Sequence, residues 1–252
     1  MSVFFSDLDN TLIWSRRKAP GVPKRAAEYL NGKEQSFMTE ETFRFLRDAG
    51  WLTLVPVTTR SEEQYRRIFL MESLPVRYAL VCNGGKLLAG GREDAEWTAE
   101  TLETAARETA ALREASELLR EYAGENGLHR PEPYLCYIRT EDPEAVLAGL
   151  EGRTDPDLVQ TARDARKVYL IARSVTKGGA VRRFARRFGA DRTAAAGDGA
   201  LDLSMLREAD YPLAPESLAG EPGLPDGAVL RGGVFSDRIC GALAGLHREG
   251  KL

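Results

Sequence analysis

Short apolar runs that stop at small polar or acidic residues constrain this chain more than any other feature. Val3-Phe4-Phe5 stops at Ser6-Asp7, and Leu52 to Val57 stops at Thr58-Thr59-Arg60. Tyr78 to Cys82 is closed by Asn83-Gly84-Gly85, and Thr193 to Ala196 by Gly197-Asp198-Gly199. Such runs, rich in strand formers and bounded by breakers, read as buried strands. Helical segments lie between them. Thr39 is an N-cap with Glu40 and Glu41 in the first turn, and Gly50 terminates that helix. Ser61 with Gln64 three residues on is a capping-box pattern. Gly178 to Phe188 reads as a helix ending at Gly189, and a last helix covers Asp237 to His247. Strands alternating with helices call for an α/β fold, a parallel sheet with crossover helices. Pro56 weighs against a central place for the second strand. Trp14 to about Phe37 is a basic, Pro-containing stretch with no element assigned.

The grammar changes in the middle. Residues 98–123 read as one long amphipathic helix, with Leu102, Ala105, Thr109, Leu112, Leu119 and Tyr122 spaced near three and four. A strand (Tyr134 to Arg139), a short helix opening at Asp142-Pro143 and a second strand (Lys167 to Ala172) follow. Residues 86–174 hold 12 basic and 18 acidic side chains, whereas the rest of the chain is mildly basic. The block reads as an α+β insert, residues 86–174, spliced into a discontinuous core of residues 1–85 and 175–252. A chain of 252 residues accommodates both at ordinary domain sizes.

Composition narrows the partners. With 35 basic against 38 acidic residues the net charge is −3, which argues against nucleic acid or a membrane surface engaged by bulk electrostatics. No apolar run approaches the ~18–20 residues of a membrane span. The start MSVFFSDLDN lacks a basic segment and a small-residue cleavage site, so a cytoplasmic location is expected. Cys82, Cys136 and Cys240 form no CxxC pair and read as reduced, buried thiols. His129 and His247 read as surface residues, with no histidine-based chemistry between them. Only seven of the 35 basic residues are Lys, so a Lys at a chemical position carries more information than usual.

Chemistry concentrates at the strand ends. Ligands of open parallel sheets gather outside the carboxyl ends of the strands. Asp7 and Asp9, two apart in an extended segment, point to one side and repel, so they call for a cation, a shared proton or a strong hydrogen-bond cage. A solvated turn offers the same pair. A calcium loop does not fit, because the twelfth position counted from Asp7 is Lys18 rather than Glu. Asp198 and Asp202 add carboxylates after another strand, although an acid in a first helical turn is favoured in any case. Thr58 at a strand end and Lys177 at a helix start are the hydroxyl and ammonium that take up oxygens of a transferring phosphoryl group.

The segments FFSDLDNTL, VTTR, TKGGAV and GDGALDLSML resemble, in order, the four motifs of the haloacid dehalogenase superfamily. The insert between the second and third motifs resembles the capped Cof-type and sucrose-phosphatase-like subfamily, with Asn83-Gly84-Gly85 as the lead-in to the cap. The resemblance implies a Rossmann-like core and Mg²⁺-dependent phosphoryl transfer through an aspartyl phosphate. It makes Asp7 the nucleophile and Asp9 the general acid and base, its backbone carbonyl also touching the metal. Thr58 and Lys177 would hold phosphoryl oxygens, and Asp198 with Asp202 would bind Mg²⁺. Thr59, Arg60, Asn83 and Gly84 are the expected substrate-binding residues of the core. Relatives often carry Gly where Thr59 stands, and Ser and Asn where Gly199 and Leu201 stand, which bears on the metal geometry and on the subfamily.

An Asp two residues after the nucleophile suits phosphate esters, whose leaving group needs a proton. The expected protein is a phosphatase acting on a small phosphorylated metabolite, with a sugar phosphate favoured. A phosphotransferase or mutase would use the same aspartyl phosphate, and a silent phospholigand-binding protein would have no chemical need for all six residues. Arg139, Arg163, Arg166, Lys167 and Tyr137 in the insert are candidates for an anionic or sugar-like group, and also ordinary surface residues.

Overall fold

The structure is a computed structural model that describes residues 1–252, apart from the side chain of Asn126. The elements run β1 (Ser2–Ser6), β2 (Trp14–Ser15), β3 (Lys24–Leu30), β4 (Lys33–Thr39), α1 (Glu40–Asp48), β5 (Thr53–Pro56), α2 (Glu62–Arg66), β6 (Tyr78–Val81), β7 (Lys86–Ala89) and β8 (Arg92–Glu93). Then come α3 (Ala95–Ala105), α4 (Thr109–Arg120), β9 (His129–Glu132), β10 (Leu135–Arg139), α5 (Pro143–Leu150), β11 (Val159–Asp164) and β12 (Lys167–Ala172). The chain closes with α6 (Lys177–Phe188), β13 (Arg192–Ala196), α7 (Leu203–Leu206), β14 (Tyr211–Pro215), β15 (Val229–Leu230) and α8 (Phe235–Arg248). Two compact units result, residues 1–93 with 177–252, and residues 94–176.

The first unit is built on the sheet β15-β14-β13-β1-β5, parallel throughout. Alternation along β1 sends Phe4 to one face, where α1 and α8 pack through Phe43, Leu46, Ile239 and Leu243. Phe5 faces the other way and meets Phe184 of α6 edge-on, with ring centroids 5.5 Å apart. Burying each such ring contributes roughly 1.5–3 kcal/mol, so helices cover both faces of the sheet. The α/β expectation holds. Pro56 sits in the edge strand β5, beyond which Val57 forms a parallel bridge to Leu80 of β6. Thr39 caps α1 by accepting the Thr42 N–H (3.1 Å), and Ser61 and Gln64 close the capping box of α2.

Three details depart from the sequence reading. The stretch from Trp14 onward is an antiparallel sheet of order β2-β4-β3, its long hairpin turning at Asn31-Gly32, where both φ values are positive. Residues 86–93, expected in the insert, belong to the first unit because β7 pairs antiparallel with β6 and β8 with β7, while residues 175 and 176 fall in the second unit. The expected long helix breaks between Ala105 and Thr109. Glu108 stands at the break, and its carboxylate takes the N–H and hydroxyl of Ser174.

The second unit is a four-stranded antiparallel sheet of order β11-β12-β10-β9. Leu112, Ala115 and Leu119 of α4 and Val146 and Leu150 of α5 pack on Cys136, Ile138, Val168 and Leu170 of the sheet. No helix among the described residues is long and apolar enough to cross a membrane.

Candidate active site

Asp7 directly follows β1. Its N–H donates to the Ala196 carbonyl (2.9 Å) and the Val57 N–H donates to the Ser6 carbonyl (2.7 Å), so Asp7 stands between the ends of β13 and β5. The chain then turns sharply. The Leu8 carbonyl accepts the N–H groups of Thr11, Leu12 and Ile13, and Asn10 adopts the left-handed φ of 62° that Asn tolerates.

Lys177, at the start of α6, is 2% exposed, and its Nζ donates to Asp7 Oδ1 and Asp202 Oδ1, both at 2.6 Å. The other oxygen of Asp202 accepts the N–H groups of Asp198 (3.1 Å) and Gly199 (3.0 Å). This geometry requires Gly197, because a Cβ there would lie 2.3 Å from Asp202 Cβ and 2.4 Å from its Cγ. Thr11 Oγ1 donates to Asp198 Oδ1 at 3.4 Å. Oxygens of Asp7, Asp198 and Asp202, brought from opposite ends of the sequence, lie within 4.8 Å of one another.

Burial pushes the Asp7 carboxyl well above the ordinary carboxylate range; Lys177 pulls it down, while Asp202, Asp198 and Asp9 push it further up. Burial works against the Lys177 ammonium too, but Asp202 and Asp7 outweigh it and raise its pKa above that of a free lysine. The carboxylates of Asp7, Asp9, Asp198 and Asp202 face Lys177 and Arg60, so these six side chains sum to −2 when all are ionised. An all-oxygen donor set with that excess fits a hard divalent cation such as Mg²⁺.

Asp9 is turned elsewhere. Arg60 Nε and Nη2 donate to its two carboxylate oxygens at 2.7 and 2.8 Å, a bidentate pair. Arg60 Nη1 donates to Glu28 Oε2 (2.9 Å) and to the Gln64 carbonyl (3.3 Å). The sequence reading placed Arg60 on substrate. Its side chain is 11% exposed, with donors on Asp9 and Glu28. Glu28 is a residue the sequence reading missed, since nothing in a basic, Pro-containing stretch singles out one carboxylate.

Thr58 is buried at the end of β5, and its Oγ1 accepts the Arg60 N–H at 3.1 Å. Its carbonyl accepts the Asn83 N–H (2.9 Å) and the Arg60 carbonyl accepts the Cys82 N–H (2.8 Å), which stitches the two loops together. Asn83 and Gly84 are buried there with φ of 61° and 88°, and Thr59 is half-buried. In the second unit Arg163 and Arg166 sit in exposed pairs with Glu144 and Glu141. Lys167 lies over the Tyr137 ring (5.1 Å), against whose other partner, His129, the rings stack at 4.8 Å.

No family model matches the chain, and no curated protein matches it in sequence. Solved structures match it in fold. The sucrose-phosphatase of Synechocystis, solved with sucrose and phosphate, is 18% identical with a TM-score of 0.64 over 98% of both chains. A subclass IIB sugar phosphatase of the haloacid dehalogenase superfamily is 16% identical with a TM-score of 0.60 over 100% of both chains. The fold is that of the haloacid dehalogenase-like hydrolases. One of these, from B. subtilis, is 17% identical with a TM-score of 0.59 over 98% of this chain and 100% of its own. In the haloacid dehalogenase-like fold of this chain, the Asp7, Lys177, Asp198 and Asp202 cluster occupies the carboxyl edge of the parallel sheet, where α/β proteins bind ligands.

Proposed function

We propose that the protein is a Mg²⁺-dependent phosphatase that hydrolyses a small phosphorylated metabolite, a sugar phosphate in preference, through an aspartyl phosphate on Asp7. The observation that carries the reading is the buried triad of Asp7, Lys177 and Asp202, joined by two 2.6 Å bonds and set beside Asp198. Phosphatases among the solved structures of like fold support the reaction class.

Lys177 holds Asp7 Oδ1, which leaves the second oxygen to attack phosphorus. As that O–P bond forms, the ester P–O bond breaks and Asp9 gives a proton to the departing alkoxide. Asp9 then takes a proton from water, whose oxygen attacks the phosphoryl group, and phosphate leaves with Asp7 regenerated. Thr58 and the Lys177 ammonium stabilise the phosphoryl oxygens. Asp7 and Asp198, with the Asp9 carbonyl and with Asp202 alongside, would hold Mg²⁺, which when bound supplies charge neutralisation at the phosphoryl oxygens. Asn83, Gly84 and Thr59 frame the substrate end of the site. Residues 94–176 take the part of the specificity cap, and the compartment is the cytoplasm.

The test is phosphate release from a broad panel of phosphorylated metabolites, with Mg²⁺ and with chelator, alongside a search for phosphorylated acceptor. Mg²⁺-dependent release of phosphate, fastest from sugar phosphates, is expected. Transfer to a sugar hydroxyl without phosphate release makes the protein a phosphotransferase, and an inert protein rejects the enzyme reading.

A further inference from the structure

The bulged hairpin strand β3 places a buried carboxylate behind the Asp9–Arg60 pair, and neither the motifs nor the fold assigns it a role. Ala27 and Glu28 are both buried although they are adjacent in a strand, where regular alternation sends one of them to solvent. The register shifts on both sides of the Glu28–Ser36 pairing account for this. Such irregularities re-aim side chains and are frequent beside active sites. Here the irregularity turns Glu28 inward, with its side chain 5% exposed. Its Oε2 accepts from Arg60 Nη1 (2.9 Å) and from Ser36 Oγ (3.4 Å), and its Oε1 accepts from Arg67 Nε (3.2 Å).

We propose that Glu28 is a positioning residue that fixes the Arg60 guanidinium, and through it the orientation of the Asp9 carboxylate, for proton transfer to the leaving group. A guanidinium is planar, so holding Nη1 on Glu28 sets the plane in which Nε and Nη2 meet Asp9. The bidentate contact fixes both oxygens of the Asp9 carboxylate relative to the plane of Arg60. Without Glu28, the far edge of Arg60 keeps the Gln64 carbonyl, a long contact at 3.3 Å. This inference rests on the phosphatase reading and on Asp9 as the general acid.

The test compares esters that differ in their need for an acid. Departure of an alkoxide requires a proton, whereas para-nitrophenolate leaves without one. The variant Glu28→Gln is compared with the wild type by kcat/KM on para-nitrophenyl phosphate and on the best alkyl ester of the metabolite panel, with β-glycerophosphate as a second alkyl ester. The expected result is a loss on alkyl esters larger by about tenfold than the loss on the aryl ester. Glu28→Asp, which keeps the charge one methylene shorter, is expected to show the same selectivity at smaller amplitude, and it carries the comparison if Glu28→Gln does not fold. Equal losses on both esters, or none, overturn the role of Glu28 and leave the phosphatase reading standing. A wild type inert towards every ester overturns the phosphatase reading, and the Glu28 role with it.

Discussion

Gly178→Ala tests the packing that holds the Lys177 ammonium in place. A Cβ at residue 178 would lie 2.3 Å from the Ser204 carbonyl oxygen and 2.6 Å from its carbon, both main-chain atoms of α7. Ordinary contact begins near 3.4 Å, so α6 and α7 must separate by about 1 Å at this point. Lys177 and Asp202 lie one residue before Gly178 and two before Ser204, so that separation strains their 2.6 Å bond. Overpacking of this kind costs about 1–3 kcal/mol, against a helix-propensity gain from Gly to Ala of roughly 0.5–1 kcal/mol. The net runs from about zero to a loss of about 2.5 kcal/mol, which lowers Tm by up to about 10 °C at this size, while a 1 Å misplacement at the site costs about a hundredfold in turnover. Gly241 of α8 is the control, because no atom lies within 4 Å of its would-be Cβ. Gly241→Ala therefore keeps only the propensity gain, roughly 0.5–1 kcal/mol, and raises Tm. Thermal unfolding by circular dichroism and phosphate release from the best substrate read both variants. If Gly178→Ala melts at or above the wild-type temperature with full turnover, the contact with Ser204 does not set the site.

Asp7→Asn removes the nucleophile, and turnover on the best substrate is expected to fall below detection. The folded protein holds Asp7 with a raised pKa, so the stability from its uncharged form is complete below the ordinary carboxyl value of 3.8 and is lost as pH rises through the raised folded value. The metal-free Asp7→Asn variant, uncharged at this position throughout, is accordingly expected to melt no lower than the wild type at neutral pH; a lower Tm shows that the Lys177 contact outweighs burial. Mg²⁺ at a hundred times its Kd is expected to stabilise the chelator-treated protein by ~2.7 kcal/mol, a Tm rise of about 5–10 °C by calorimetry that Asp198→Asn largely removes. An unchanged Tm rejects the metal site. Burial pushes the Cys136 and Cys240 thiols up to about 12, which leaves about one thiolate in ten thousand at pH 8. Neither is expected to react with a disulfide reagent until denaturant is added, and rapid labelling of either in the native protein contradicts the packing around it.

The readable parts of the sequence were those where chemistry and local backbone coincide. Asp7, Thr58 and Asp198 each end a short apolar run, and the parallel pairing of β1 with β5 and β13 brings those ends to one edge. Capping residues were equally readable, because Thr39 and Ser61 act on main-chain groups within three residues. The hairpin of β3 and β4 was missed despite a local signal, the Asn31-Gly32 pair, which favours a two-residue turn with positive φ at both positions. Its strands hid because Lys24 to Leu30 lacks clean alternation, the consequence of the register shift that buries both Ala27 and Glu28. The place of Arg60 in its motif is visible in the sequence, while its partner Glu28, 32 residues away, is not. The break between α3 and α4 falls where Glu108 meets Ser174, 66 residues distant, a contact that no local periodicity encodes.

The two cations of the site divide the work along the physical difference between them. Seven of 35 basic residues are Lys, yet Lys stands at 177, where a single buried nitrogen meets two carboxylates at 2.6 Å each. An ammonium is a compact charge whose three donors point freely, so it draws together Asp7 and Asp202 from distant parts of the chain. A guanidinium at that point would have to fit a planar fork into a space where the lysine is 2% exposed. At Arg60 the demand is reversed. Two parallel bonds to Asp9 and a third donor to Glu28 need three nitrogens in one plane, which an ammonium does not have. Each cation already meets two carboxylates of the protein, so neither by itself neutralises the acidic excess around it. That residual charge would repel a phosphate ester, so on the proposed reading the divalent cation is needed for substrate to approach Asp7 as well as for the chemistry that follows.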